Sequence, residues 1–538
     1  MNRIANLGVA LIAAATPLAA QSGRPSVSSE TGFHSEVYHI DGRPAQRPDG
    51  TLRFYASPTF TWLGLSVGLN LLWSTENQFA AQSINRYYLN PRWSWGQLHA
   101  GDYVPSHGRY TASSVRVRGG GIDLSPGPFR VSAAAGEALQ ATDLSVFDAA
   151  PRRMLYSGMI GVGNPNGTFV DFSALRAVDR AAGADMLSVP PQENLVGAVA
   201  AGLTLLGGRI RLRGEGSGSL FSRDIRAGPI DSIDQPEWTK SLFTPRVSSR
   251  FDYAWLGEAR VTAGPGSFGA QYEYVGPGFT TLGNPYFVND RREARMFGTL
   301  RVMRGRVNLA GSVGERRDNL AGDKRGTSRR RTGNFTYTII GGRWLVSSAN
   351  LMVNGTTRDP APAPPTAPDP GVVDSFRLKN VALSVALVEQ VRFTAGVPHQ
   401  ITVTLSEQRV DDASPRFGQL LDARSRAATL EYSVTLAGQF QVGVRPGYQE
   451  FEGAGVSESY RSMGVTLARR APRHPLTATV TGTYTQLRAG LQLRQDAQLG
   501  FRLTPRDALS LQGRYTRLFS VPDPYTEFLG TLRYTRRW

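Results

Sequence analysis

The length of the alternating segments limits this chain most. "LTATVTGTYTQLR" places Leu476, Ala478, Val480, Gly482 and Tyr484 on one face, and Thr477, Thr479, Thr481, Thr483 and Thr485 on the other. A period of two means a β-strand between two different environments. "LRQDAQLGFRL", "DALSLQGRYTRLF" and the final "EFLGTLRYTRRW" continue the pattern. Each runs to about ten residues or more, the length a tilted strand needs to cross a bilayer, whereas strands of soluble proteins average about 5–6.

The connections between these segments are of two kinds. Tight turns at Leu63-Gly64, Trp95-Gly96, Pro126-Gly127-Pro128, Gly207-Gly208, Gly264-Pro265-Gly266, Arg304-Gly305 and Gly341-Gly342 alternate with longer loops. The longer loops are expected near 75–83, 104–112, 138–152, 178–193, 221–246, 278–291, 317–331, 356–374 and 411–423. Short periplasmic turns and long extracellular loops are the sorting expected of an outer-membrane barrel. Counting from 51, with a first strand at 29–41 to bring the chain up, gives about 26 strands (24–26), an even number with both termini on one side. The expected fold is all-β: a single transmembrane antiparallel up-and-down barrel over 21–538, with no room for an N-terminal plug domain.

"MNRIANLGVALIAAATPLAAQ" has one cation, a short apolar stretch and small residues up to Ala20. This predicts a secretory signal peptide over 1–20, since the apolar core is too short to span a membrane. The chain has no cysteine, which excludes disulfide stapling and thiolate chemistry.

The C-terminus adds a specific motif. Phe528, Leu532, Tyr534 and Trp538 alternate toward a terminal aromatic residue. This ending resembles the C-terminal targeting strand of large Gram-negative outer-membrane β-barrels, although Arg536 stands where that family usually has an apolar residue. The resemblance implies an outer-membrane location and recognition by the barrel-insertion machinery during assembly. Trp62, Trp93, Trp95 and Trp344 sit beside short turns, where a periplasmic aromatic girdle is expected.

Catalytic constellations are weak. Gly64-Leu65-Ser66-Val67-Gly68 matches a hydrolase nucleophile elbow in letters, but it lies inside an alternating strand with no helix after it. His99, Asp102 and His107 share one strand-to-loop region, where a metal or a dyad is conceivable and polar loop residues are the plainer reading. No enzyme, cofactor or metal site is expected.

The formal charge of +17 comes from 60 Lys and Arg against 43 acids. A nucleic-acid partner is discounted, because an exported barrel meets none in the cytoplasm. Arg494, Arg502, Arg514, Arg533 and Arg537 share the polar face of the last three strands, where they would line the lumen and favour anions. "ERRDNLAGDKRGTSRRR" (315–331) reads as an extracellular loop suited to the phosphates of lipopolysaccharide, so outer-membrane lipid is an expected partner. The proline-rich "DPAPAPPTAPDPG" (359–371) reads as a stiff extended loop.

A barrel of this size encloses more space than its side chains fill. The expected function is a pore or gated conduit for solutes or an exported polymer, with loops 221–246 and 356–374 the candidates to fold inward. The alternative is a partner-dependent scaffold or secretion-complex barrel whose lumen is filled by a periplasmic or other protein subunit. Aromatic-rich loops such as "TLGNPYFVND" (281–290) would favour that alternative.

Overall fold

The computed structural model describes residues 24–79, 82–141, 151–180, 189–230, 239–360, 377–414, 422–469, 475–488 and 490–538. The signal peptide expected at 1–20 and nearly all of the proline-rich stretch at 359–371 lie outside the described residues. Twenty-six antiparallel strands, from β1 (Ser26–Asp41) to β26 (Tyr525–Arg537), form one sheet in which each strand pairs with its sequence neighbours. The sheet closes where β1 pairs with β26, from Glu30 opposite Arg537 to Asp41 opposite Thr526. At an inter-strand spacing of about 4.8 Å and a tilt of about 40°, such a closed sheet has an equivalent radius of about 25 Å.

Among the described residues, tight turns join even strands to the next odd ones. Between β2 (Gly50–Trp62) and β3 (Leu65–Ser74), only Leu63 and Gly64 intervene. Both have positive φ, 48° and 81°. This primed two-residue turn matches the right-handed twist of the flanking strands.

The two faces differ in kind. On β8 (Arg152–Gly163), Tyr156, Ile160 and Val162 are exposed, while Leu155 and Ser157 on the opposite face are buried. Cross-strand register carries this division round the barrel, since residues directly opposite one another share a face. The outer face presents exposed Phe172, Val199, Trp255 and Phe268. The core cluster of Tyr110, Leu155, Leu175, Val196, Leu256, Val275 and Phe279 lies on the inner face.

One loop expectation is corrected here. The arginine-rich 315–331 stretch is mostly paired strand: β15 (Val307–Asp318) and β16 (Gly326–Gly341) extend into it and leave only 319–325 as the connection. Glu315 stands opposite Arg331, Arg316 opposite Arg330, and Arg317 opposite Arg329. Backbone pairing holds these strands together despite the like charges, because a charged side chain does not interrupt a hydrogen-bond ladder.

Candidate functional site

Two loops fold into the barrel and pack against one side of its inner wall. The first, 104–116, follows β5 (Gly96–Tyr103), and the second, 276–290, follows β13 (Gly266–Val275). Tyr110 of the first loop is fully buried, as is Phe279 of the second. Their rings meet edge to face at 5.7 Å, with Phe287 beside both. Burial of aromatic rings in such pairs supplies most of the apolar stabilisation of a short loop.

Polar contacts fix the loops to each other and to the wall. The Ser113 amide donates to the Gly283 carbonyl, and the Thr281 hydroxyl donates to the Thr111 carbonyl at 3.0 Å. A β-carbon on Gly283 would stand 2.1 Å from the Thr111 carbonyl oxygen, so this approach requires glycine. Asn194 on β10 (Glu193–Leu205) donates to the Thr280 carbonyl and accepts from the Leu282 amide at 2.9 Å. It is fully buried, so every amide atom spent on the loop replaces one that water would otherwise take.

Glu273 of β13 is the electrostatic centre of the arrangement. Its carboxylate is buried and accepts from Arg109 at 2.9 Å, the Tyr110 hydroxyl at 3.2 Å and Arg291 at 3.1 Å. Burial opposes the charge on Arg109, and Glu273 beside it outweighs burial and raises its pKa. Burial, then the neighbouring Glu273, pushes the Tyr110 phenol well above its ordinary range. Both groups therefore hold their protons and act as fixed donors to the carboxylate. Glu215 of β11 (Ile210–Ser222) completes the seat by accepting from the Tyr110 amide at 3.4 Å.

His107 marks the other end of the first loop, where its Nδ1 lies 2.9 Å from the Ser157 hydroxyl. Burial lowers its pKa; Asp123 opposes that shift and His99 adds to it. The three residues His99, Asp102 and His107 do not converge. His99 sits between the Tyr88 hydroxyl at 2.6 Å and Asp123 at 2.7 Å. Asp102 faces outward and pairs with Arg118 at 3.0 Å. His99 and Asp102 are three apart on a period-two strand, so they fall on opposite faces.

The inward loops are not those expected. In the described part of 221–246, Phe243 packs on Leu195 and Leu220, which share the outward face of β10 and β11. Most of 356–374 lies outside the described residues. "TLGNPYFVND" is largely consumed by internal packing: Thr281 is buried and Leu282 packs on the core, although Tyr286 remains 82% exposed. Glu273, Asn194 and Tyr110 were not singled out from sequence.

The five C-terminal arginines occupy one face of β24 (Gly490–Arg502), β25 (Asp507–Phe519) and β26, in register with Glu30 and His34 of β1. Cross-strand pairing makes this the inner face. Arg494 and Arg514 share Asp496 at 2.7 and 2.9 Å, and Arg537 pairs with Glu30 at 3.0 Å. Arg502 and Arg533 have no carboxylate within ion-pair distance among the described residues. With His34, Arg506 and Arg537 they border a niche of about 570 Å³ at the short-turn end. Phe528, Leu532, Tyr534, Arg536 and Trp538 fall on the opposite face. There Arg536 lies 4.5 Å over the Trp538 ring and 3.8 Å from Asp507, so this cation is masked at the strand end. Trp62, Trp95 and Trp344 are about half exposed at the short-turn end, and Trp93 meets Trp95 edge to face at 5.3 Å.

No family model and no curated protein matches the chain. Among solved structures, it is similar to the P pilus usher translocation pore at 12% identity and a TM-score of 0.37, over 94% of this chain and 99% of that chain. It is also similar to the siderophore receptor PirA from Pseudomonas aeruginosa at 10% identity and a TM-score of 0.41, over 96% of this chain and 81% of that chain. A third is OccK2 of Pseudomonas aeruginosa, at 12% identity and a TM-score of 0.30, over 95% and 98% of the two chains. At these identities and scores the likeness carries no activity, substrate or partner to this chain.

Proposed function

We propose that the protein is an outer-membrane barrel acting as a loop-narrowed conduit for solutes, with a preference for anions. The observation that carries this reading is the pair of loops, 104–116 and 276–290, docked inside a closed sheet whose outer face exposes large apolar side chains. The loops rest on the wall between β8 and β13, and the arginine-bearing wall of β24 to β26 lies elsewhere on the circumference. A ring of about 25 Å radius is too wide for two short loops to fill. Arg502 and Arg533, lacking acidic partners, supply the positive potential that would favour anions along that wall.

Single-channel recording of the refolded protein in a planar bilayer under a salt gradient tests this. Discrete conductance steps with a reversal potential on the anion side are expected. A correctly inserted barrel that never conducts would overturn the conduit and favour a lumen filled by a separate subunit.

A further inference from the structure

The outer face of the barrel carries an arrangement that the conduit reading does not use. Along β14 (Arg291–Val302), β15 and β16, the outward residues Arg292, Arg317 and Arg329 stand directly opposite one another. One step further along the strands, Arg331 stands opposite Glu315, with which it pairs at 2.8 Å. Four outward arginines thus share a single carboxylate. Arg292, Arg317 and Arg329 have no ion-pair partner among the described residues, and the Arg317 Nε is buried without a hydrogen-bond acceptor. Neighbouring strands about 4.8 Å apart bring three guanidinium groups within reach of one small anion, and like charges in this position repel when nothing lies between them.

Several other outward arginines have acidic partners. Arg152 pairs with Glu137, Arg176 with Glu193, and Arg424 and Arg426 with Glu407. The triplet differs in that three cations without a salt bridge stand in one cross-strand row.

What lies beside the triplet indicates what compensates it. The row that contains Arg292 continues through Tyr274 to Trp255, and Tyr274 stacks on Tyr253 at 5.3 Å. Trp and Tyr rings gather at the level of lipid headgroups. Past the Glu315–Arg331 pair the rows turn small and apolar, and a groove of about 820 Å³, edged by that pair, opens over Ala259, Ala270 and Ala294, flanked by Tyr272, Met296 and Val313. Met296 and Val313 are 65% and 59% exposed, so this strip has no protein cover.

We propose that this strip of β12 (Ser249–Ala263) to β16 binds one phosphorylated membrane glycolipid, with its phosphate on Arg292, Arg317 and Arg329 and an acyl chain in the groove. The small side chains make room for the chain, and the arginines sit where its headgroup emerges. The ligand belongs to the surrounding leaflet and does not enter the lumen. This inference rests on the outer-membrane placement proposed above.

The test reconstitutes the full protein into phosphatidylcholine vesicles doped with a diphosphorylated glycolipid. The protein is then extracted in mild detergent, and retained lipid is measured by native mass spectrometry. Retention of the glycolipid over phosphatidylcholine is expected. The triple variant R292Q/R317Q/R329Q should lower it by about tenfold or more, since it removes the three cations that would hold the phosphate. Ala294→Trp should also lower it with every charge intact, and R424Q/R426Q should leave it unchanged. Equal retention by the triple variant, or equal competition by inorganic phosphate alone, overturns the site. A protein that fails to insert into vesicles at all overturns the membrane placement instead, and the lipid site with it.

Discussion

The Tyr110 hydroxyl donates to the Glu273 carboxylate at 3.2 Å, joining a loop to a wall strand 163 residues away in the chain. The same carboxylate takes Arg109 and Arg291. One buried acid thus ties the inward loop to the barrel.

Glu273→Gln removes that charge and leaves two guanidinium groups facing a neutral amide. Breaking a buried pair by removing one partner costs about 3–5 kcal/mol, enough to release a loop while the strand ladder persists. Larger conductance steps, or more frequent opening, are expected in planar bilayers. Protease cleavage within 104–116 should also appear, with the heat-modifiable barrel band unchanged on gels. Unchanged conductance and no cleavage would count against the loop as a gate.

Acid should act through His107. Burial lowers its pKa below the ordinary value of 6.5, so the docked loop binds the proton less readily than the released loop does. Docking is therefore at full strength above about pH 6.5 and weakens as pH falls below it. The groups facing the ring are the Ser157 hydroxyl, Asp123 and His99. Conductance recorded from pH 7.5 down to pH 4.5 should rise, and His107→Gln should flatten that rise.

Ion selectivity should respond with opposite signs at neighbouring wall positions. R502Q/R533Q removes two cations that have no acidic partner and should lower the anion-to-cation permeability ratio about twofold or more. Asp496→Asn frees Arg494 and Arg514 from their shared acid and should raise the ratio. Reversal potentials in a salt gradient read both.

Assembly is expected to depend on the terminal ring. Trp538→Ala should reduce the yield of heat-modifiable barrel in the outer-membrane fraction. Arg536→Leu should not, because that arginine is already folded over the ring it flanks. Equal yields for Trp538→Ala and the parent would argue against a targeting role.

The strands were legible because period two records which side of a sheet each residue faces, and long uniform strands repeat that record. "LTATVTGTYTQLR" lies almost entirely in one strand, Leu476–Leu487. Alternation failed where both faces are polar: "ERRDNLAGDKRGTSRRR" has no apolar side to show, so its strand ends read as loop. The inward loops could not be read for a different reason. Tyr110 is fixed by Glu215 and Glu273, and His107 by Ser157, residues scattered over three strands and brought together only by closure of the sheet. The opposite orientation of His99 and Asp102 was available from their spacing.

The seam between β1 and β26 imposes an order of events. Glu30 meets Arg537 across 507 residues of chain, and that ladder cannot form until the last residues have been delivered. Until then both outermost strands present unpaired amides and carbonyls, ready to pair with any other extended chain. Closing so long a loop is also slow relative to forming the hairpins between neighbouring strands. The half-built sheet is therefore the vulnerable species, and its two raw edges must be shielded from the moment the first hairpins form until the terminal strand arrives to consume them.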